Sequence, residues 1–391
     1  MAQINAPAQC LFNPLNFPNK LLMGPGPANC PPRVLAAGAL PILGHMHPEM
    51  LKIMDDIKAG IQYVFQTQND LTLAVSGTGH AGMEAACCNL VEPGDVILVA
   101  TNGIWGERFA DMVDRCGGKS MPLNNPVGVV FSLDQIEEGL RNHKPSVFFI
   151  THGESSTGVC QPLEGIGTLC HQYNCILLVD SVAALGGVPM FMDNWEIDVL
   201  YTGSQKVISA PSGTAPISFS PRARAKVDSR KHRVQSFYFD INHLANYWGV
   251  DGQPRRYHHT CPTSNLYMLR EGLARLAEEG LEACWERHRK CAELLYKALA
   301  NIGVQLFVKD ENHRLPTVNT VIIPDGVDWM KVVKYAMEKY FVEIAGGLGP
   351  TAGKIGRIGL MGYNATPDNI DRVIKALDEG LKEARQPKSK V

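Results

Sequence analysis

The sequence predicts an α/β protein in which a large domain with a mostly parallel sheet precedes a smaller α+β domain. Two observations predict the large domain: apolar runs of strand length recur along the chain, and amphipathic helical stretches separate them. A third observation predicts the division, because two long helical patterns replace this alternation beyond about residue 263. We therefore expect an extended arm at residues 1–20, a large domain at 21–279 and a small domain at 280–391.

Six apolar runs are the predicted strands of the large domain, at 71–75, 96–100, 147–151, 176–179, 199–202 and 217–219. A helix is expected at 163–173, and another begins at Ser132, because Ser132 and Gln135 have the spacing of a capping box. Beyond about residue 263, helices are predicted at 264–279 and 281–300, followed by strands at 304–308, 318–323, 342–344 and 357–360. A last helix is predicted from Pro367.

The composition excludes several classes of partner. The chain has 391 residues, and its 37 basic and 39 acidic side chains leave a net charge of -2, so we expect no nucleic-acid partner. No apolar run approaches the roughly 18 residues that a membrane span needs, so no membrane partner is expected either. The 11 cysteines form no C-x-x-C pair, which predicts neither a disulfide framework nor a zinc site. No metal is therefore expected.

The compartment is predicted only by short signals. The scattered cysteines suit a reducing compartment, and the first 20 residues have neither an apolar signal segment nor a basic transit pattern. The chain ends with Ser389, Lys390 and Val391, which differ from the peroxisomal S-K-L address only in the last residue. A peroxisome is therefore the expected location, with cytoplasm or mitochondrion as alternatives.

A glycine-rich turn stands between a predicted strand and a predicted helix. Residues 77–82 match G-x-G-x-x-G, which favours a dinucleotide site and an NAD-dependent oxidoreductase. That interpretation also requires an acid about 20 residues further on, and the second strand ends at 99–102 without one. The amides and hydroxyl of Thr78, Gly79 and His80 suit a single phosphate equally well, and a tight strand-to-helix turn without a ligand has the same pattern.

Two isolated charges follow later strands. Asp180 ends an apolar run at the carboxyl edge of the predicted sheet, where α/β proteins place ligands and where a buried acid needs a partner. A protonated pyridine nitrogen of pyridoxal phosphate is such a partner, whereas a helix cap or a loop acid is the alternative. Lys206 is the only charged residue between Asp198 and Arg222, so it is either a desolvated Schiff-base lysine or a solvated loop lysine.

The three features together match the layout of a fold-type I pyridoxal-phosphate enzyme. A phosphate turn follows the first strand, an acid ends a later strand, and a lone lysine stands further along the chain. A dehydrogenase would give neither Asp180 nor Lys206 a role, so the joint pattern is more specific than its parts.

Eight stretches, distributed from residue 22 to residue 350, resemble the alanine-glyoxylate aminotransferases, also called serine-pyruvate aminotransferases, of the class-V family. They are Leu-Met-Gly-Pro-Gly-Pro (22–27), Ser-Gly-Thr-Gly-His (76–80), Asn-Gly-Ile-Trp-Gly (102–106), Thr-His-Gly-Glu-Ser-Ser-Thr-Gly (151–158), Val-Asp-Ser-Val (179–182), Gly-Ser-Gln-Lys (203–206), Arg-Tyr-His-His-Thr (256–260) and Gly-Gly-Leu-Gly-Pro (346–350). The similarity runs nearly from end to end, from about Pro18 to the last helix.

The resemblance implies a role for each matching residue. Lys206 would bond to the cofactor aldehyde, Asp180 would pair with the pyridinium nitrogen, and Trp105 would stack on the ring. The phosphate would be held by Thr78, Gly79, His80 and Gln205, joined by Tyr257 and Thr260 of the neighbouring subunit of a homodimer. Ser155 would lie near the polar edge of the ring. The substrate would be bound by Arg357, Gly26 and Ser155, with the Arg357 guanidinium gripping a carboxylate.

The resemblance also implies the reaction. The amino group of L-alanine or L-serine would pass to glyoxylate or pyruvate by a ping-pong mechanism. Insect 3-hydroxykynurenine transaminases share the stretches at 256–260 and 346–350, so that donor is an alternative. The NAD-dependent oxidoreductase remains the alternative from another class.

Overall fold

The computed structural model describes residues 4–385, so the predicted address at 389–391 lies outside the described residues. Twelve α-helices lie in this range: α1 (Pro32–Gly38), α2 (Pro48–Phe65), α3 (Gly79–Leu90), α4 (Ile104–Arg115), α5 (Leu133–His143), α6 (Ile166–Gln172), α7 (Pro221–Asp228), α8 (Ile241–Tyr247), α9 (Thr263–Glu279), α10 (Leu281–Asn301), α11 (Trp329–Tyr340) and α12 (Pro367–Arg385). The strands are β1 (Leu21–Leu22), β2 (Thr72–Ser76), β3 (Val96–Thr101), β4 (Lys119–Asn124), β5 (Val147–Thr151), β6 (Gly153–Glu154), β7 (Val159–Cys160), β8 (Ile176–Asp180), β9 (Val199–Tyr201), β10 (Thr214–Phe219), β11 (Val318–Ile322), β12 (Val342–Glu343), β13 (Ala345–Gly346) and β14 (Ile355–Gly359).

Seven strands form the large sheet, in the order β2-β10-β9-β8-β5-β3-β4. Neighbours pair in parallel except at β10, which is antiparallel to both β2 and β9, so the predicted, mostly parallel sheet is confirmed. All six predicted runs are strands of this sheet. The seventh, β4, was not predicted, because it is an edge strand with partly exposed positions and contains Pro122.

The strand order distinguishes this sheet from a dinucleotide-binding sheet. In the dinucleotide fold, the strand before the glycine-rich turn lies in the middle of the sheet, at the point where the strand order reverses. Here that strand is β2, which lies at the sheet edge and pairs only with the antiparallel β10. The turn at 77–82 therefore does not open into the crevice that a dinucleotide occupies.

The C-terminal part contains the three-stranded sheet β11-β14-β13, covered by α11 and α12. The strand predicted at 304–308 is wrong. That segment pairs with β11 only through the antiparallel bridge of Leu306 with Val321, which is too short a pairing to form a strand.

Two buried apolar clusters hold the molecule together. The larger surrounds the seven-stranded sheet, and the smaller fills the space between α10, α11, α12 and the C-terminal sheet. The N-terminal segment contributes to the smaller cluster, because Met23 is buried in it and β1 pairs in parallel with β12. The boundaries at residues 20 and 279 remain predictions. None of the described helices is both long enough and apolar enough to span a bilayer.

Candidate active site

A cavity opens at the carboxyl ends of β5 and β8. It includes seven of the residues that the sequence predicted for one site: Gly79, His80, Trp105, Ser155, Asp180, Gln205 and Lys206. The remaining lining residues are Met83, Gly153, Val182 and Ala183. Residues that are up to 127 positions apart in the chain therefore meet at one sheet edge.

Asp180 is the last residue of β8, and only 3% of it is exposed. One carboxylate oxygen accepts a hydrogen bond from the Val182 amide at 2.8 Å, and the other accepts one from the Tyr201 hydroxyl at 2.8 Å. Burial raises the pKa of the Asp180 carboxyl to about 6, and these two hydrogen bonds act against the increase. A buried carboxylate in this setting is suited to a cationic partner, because pairing offsets part of its desolvation.

Lys206 lies in the turn after β9, and its Nζ donates a hydrogen bond to the Pro25 carbonyl. Loss of hydration lowers the pKa of the Lys206 amine to about 8, and the positive charge of Arg357 adds to the decrease. The negative charge of Asp180 acts in the opposite direction. A substantial fraction of this amine is therefore neutral near pH 8, which is the nucleophilic form.

The absence of a side chain at Gly26 leaves room for the Lys206 amine. A Cβ atom at Gly26 would lie 2.3 Å from Lys206 Nζ, and the φ of Gly26 is +111°, which residues with side chains rarely adopt. The predicted role of Gly26 in substrate binding stays a prediction, but its backbone lies directly against the lysine.

The glycine-rich turn leads into α3. Thr78 is the N-cap residue, and its hydroxyl makes no capping hydrogen bond. The first amides of α3, including those of Gly79 and His80, have no carbonyl one turn earlier, so this end of the helix can bind an anion. Gln205 Oε1 is buried without a hydrogen-bond partner among the described residues. Thr78 itself does not line the cavity but lies immediately before Gly79, which does.

Trp105 forms one wall of the cavity at the start of α4. Its Nε1 donates a hydrogen bond to Ser155 Oγ at 2.9 Å, which fixes the plane of the indole. The His80 ring meets the indole edge to face, with 5.4 Å between the ring centroids. Arg108 lies 5.0 Å from the indole centroid and bonds to His80 Nε2 at 2.7 Å. The indole is thus held in place from several sides.

Arg357 lies on β14 and is 8% exposed. Its Nε donates to the Gly346 carbonyl at 2.7 Å and its Nη1 to the Ser155 carbonyl at 3.4 Å. No carboxylate among the described residues forms an ion pair with it. Burial lowers the pKa of Arg357, but an arginine remains charged in proteins, so a carboxylate ligand would stabilise the charge.

Tyr257 and Thr260 are not brought to the cavity by this chain. Tyr257 is 59% exposed, and its hydroxyl lies 3.3 Å from Thr260 Oγ1. Neither residue is among those that line the cavity. Their predicted contribution from a neighbouring subunit stays a prediction.

Two residues at or next to the site were not predicted from the sequence. Tyr201, at the end of β9, donates a hydrogen bond to Asp180. A single aromatic residue in an apolar run does not indicate such a contact. Glu154 is 1% exposed, and burial raises the pKa of its carboxyl to about 7. The sequence feature that could have indicated Glu154 is an acid in a stretch of small residues after a buried strand. The same feature is equally typical of a surface turn.

Within residues 4–385, no cluster of three acid, histidine or cysteine side chains is arranged to hold a metal ion.

Comparisons with known proteins agree over nearly the whole chain. The family model for aminotransferase class-V matches residues 22–373. The alanine–glyoxylate aminotransferase of Callithrix jacchus is 56% identical over 386 residues, which cover 99% of this chain and 93% of that protein.

Solved structures show the same fold. The alanine–glyoxylate aminotransferase of Nostoc sp. superposes with a TM-score of 0.93 at 44% identity, over 97% of this chain and all of that one. The ureidoglycine–glyoxylate aminotransferase of Bacillus subtilis has a TM-score of 0.93 at 35% identity, over 96% of each chain. The predicted fold class, that of fold-type I pyridoxal-phosphate-dependent transferases, is confirmed, and the oxidoreductase alternative is not favoured. The chain belongs to the class-V aminotransferase family.

Proposed function

We propose that this aminotransferase uses pyridoxal phosphate to move the amino group of L-alanine or L-serine to glyoxylate or pyruvate. The observation that carries the proposal is the meeting of the Lys206 amine, the buried Asp180 carboxylate and the anion-binding end of α3 at one cavity. Glyoxylate is favoured as acceptor because two separate relatives, which share 56% and 35% identity with this chain, both carry it in their names. Neither name contains 3-hydroxykynurenine, and that alternative donor is not favoured.

The residues of the cavity fit pyridoxal phosphate. The phosphate would be held by the N-terminal amides of α3, the Thr78 hydroxyl, His80 and the Gln205 side chain, whose Nε2 would donate the hydrogen bond. Asp180 would pair with the ring nitrogen, with Trp105 against the ring face and Ser155 at its polar edge. When bound, this cofactor supplies a protonated pyridine ring that accepts the electron pair released at the substrate Cα.

Lys206 is the proposed acid–base group. Its depressed pKa leaves a neutral amine available near pH 8, so it can first act as a nucleophile and then carry a proton to and from the substrate Cα. The Pro25 carbonyl accepts a hydrogen bond from Nζ and so restricts where the amine can lie. Both half-reactions use this one amine in one cavity, so donor and acceptor bind in turn and the kinetics are ping-pong.

Arg357 is the residue proposed to bind the carboxylate of the substrate. Its guanidinium is buried and oriented by two backbone carbonyls, which leaves it able to grip a carboxylate with a planar fork. Both alanine and glyoxylate carry a carboxylate next to the reacting carbon. One arginine therefore orients both substrates in the same way relative to Lys206.

A homodimer is part of the proposal, with Tyr257 and Thr260 reaching the phosphate of the neighbouring subunit. Their exposure supports this arrangement, as does the fact that neither residue lines the cavity of its own chain. A peroxisomal location, based on residues 389–391, is also proposed, with cytoplasm or mitochondrion as alternatives.

The visible absorption spectrum of the cofactor-loaded protein tests the proposal. L-alanine should convert the band of the aldehyde form of the cofactor to that of its amine form, and glyoxylate should restore it. A protein that cannot be loaded with pyridoxal phosphate would refute the proposed cofactor. A loaded protein that responds to 3-hydroxykynurenine but not to alanine or serine would refute the proposed donor.

A further inference from the structure

The Glu154 carboxylate lies buried where the hairpin β6–β7 meets the start of α4. One of its oxygens, Oε1, accepts hydrogen bonds from the Ser156 amide at 2.9 Å and the Ser156 hydroxyl at 2.6 Å. The other, Oε2, accepts one from the Trp105 amide at 3.2 Å. Three donors therefore satisfy the oxygens of this buried carboxyl group, as its burial requires.

These contacts cap α4 from another part of the chain. The N-cap residue of α4 is Gly103, which has no side chain to satisfy the first amides of the helix. Glu154 binds the Trp105 amide instead, and Ser156 Oγ accepts from the Ile104 amide at 3.1 Å. A Cβ atom at Gly103 would lie 2.2 Å from the Glu154 carboxyl carbon, so only glycine admits the carboxylate. The helix dipole also favours a negative charge here.

The same turn contacts the proposed substrate side of the cavity. Ser155 Oγ accepts the Trp105 indole hydrogen bond, and the Ser155 carbonyl accepts one from Arg357. The next carbonyl, that of Ser156, accepts a hydrogen bond from Thr351 Oγ1 at 2.8 Å. Any movement of the turn at 154–156 would therefore be transmitted both to the indole wall and to the segment that carries Arg357.

We propose that Glu154 is a positioning residue: by capping α4 across the site, it holds Trp105 and the turn that contacts Arg357 in one fixed geometry. The inference rests on the proposed function, since it assigns Trp105 to the face of the cofactor ring. Glu154 itself does not line the cavity, so its effect is indirect.

The first test needs no cofactor. Glu154→Gln keeps the size of the side chain, but its amide nitrogen cannot accept the hydrogen bonds that a second carboxylate oxygen accepts. In the cofactor-free protein, amide hydrogen exchange at residues 104–106 should become about tenfold faster, the effect expected from losing one charge-assisted hydrogen bond. Glu164→Gln makes the same change at an exposed position and should leave this exchange rate unaltered.

The second test uses the loaded protein. In Glu154→Gln, the dissociation constant of pyridoxal phosphate should rise about tenfold, and the circular dichroism of the bound cofactor should weaken because the indole wall is less ordered. The kcat should fall more than the KM for alanine rises, because Arg357 remains to bind the carboxylate. Glu164→Gln should match the unaltered protein in all three measurements.

Unchanged exchange at 104–106, or a lower melting temperature with normal cofactor affinity and circular dichroism, would overturn the inference. If Glu154→Gln does not fold, Ser156→Ala replaces it, because it removes one donor to Glu154 and the acceptor for the Ile104 amide. In Ser156→Ala, the exchange rate and the dissociation constant of the cofactor should each rise about threefold instead of tenfold. The absence of these changes would equally overturn the inference. Failure of the unaltered protein to bind the cofactor would instead refute the proposed function.

Discussion

The cavity at the end of the large sheet and the segment that carries Tyr257 and Thr260 differ in how far one chain completes them. In the cavity, Asp180 and Trp105 are held by hydrogen bonds to neighbours of the same chain. At 257–260, the two hydroxyls contact each other and face outward. The difference supports the proposed arrangement, in which one chain builds the groups for the chemistry and a neighbouring subunit would complete the phosphate site.

The largest expected effect is the loss of turnover on substitution of Lys206, which lies in the cavity that one chain builds. Lys206→Ala removes the amine that is proposed to move the proton, so alanine–glyoxylate turnover should fall by about a thousandfold or more. The melting temperature should change little, because the substitution also removes a poorly hydrated cation. Lys334→Ala, at an exposed lysine of α11, is the matched control and should retain full turnover. Substantial residual turnover in Lys206→Ala would remove this residue from the mechanism.

The pH dependence of cofactor loading should give the next largest effect. Only the neutral amine attacks the cofactor aldehyde, and with a pKa of about 8 its fraction rises about 50-fold from pH 6 to pH 8. Stopped-flow absorption of the cofactor-free protein mixed with pyridoxal phosphate measures this rate, and Lys206→Ala corrects for the titration of the cofactor. A corrected rate that is flat or falls with increasing pH would contradict the depressed pKa.

A smaller and more selective effect is expected at Arg357. Lysine retains the charge but not the planar fork, so Arg357→Lys should raise the KM for alanine about tenfold. The dissociation constant of pyridoxal phosphate should stay within about twofold, since Arg357 makes no contact with the α3 turn. Isothermal titration with the cofactor and steady-state kinetics separate the two quantities. Equal losses in both would contradict the assigned role.

The smallest effect is expected at the exposed segment. Tyr257→Phe combined with Thr260→Val removes two neutral hydrogen-bonding groups, so the cofactor should bind about fivefold more weakly. Mixing this double variant with Lys206→Ala sharpens the comparison. If the sites are shared, one site of each mixed dimer combines the altered residues 257 and 260 with Lys206→Ala, and the other site has all three natural residues. Normal cofactor affinity should therefore return in a fraction of the sites. No such fraction would place both residues in the site of their own chain.

The sequence predicted more of the cavity than of its surroundings, for physical reasons. Asp180 and Lys206 were detectable because an isolated charge after an apolar run is costly unless it has a partner. Glu154 was not detectable, since its burial depends on Gly103 and Trp105, which only the fold brings near. The edge position of β2 was also hidden, because apolar runs predict strands but not their order. The strand expected at 304–308 failed because its apolar residues pack on α10 and β11 without a continuous partner.

The pairing of β1 with β12 has a consequence for how the protein is made. The Asn364 side chain donates a hydrogen bond to the Leu22 carbonyl, 342 positions away along the chain. At typical translation speeds, about 20 to 70 s pass between the synthesis of these two residues. Throughout that interval Met23 lacks the C-terminal residues of the smaller apolar cluster in which it is finally buried. The N-terminal segment can therefore reach its final contacts only after β12 and Asn364 have been synthesised.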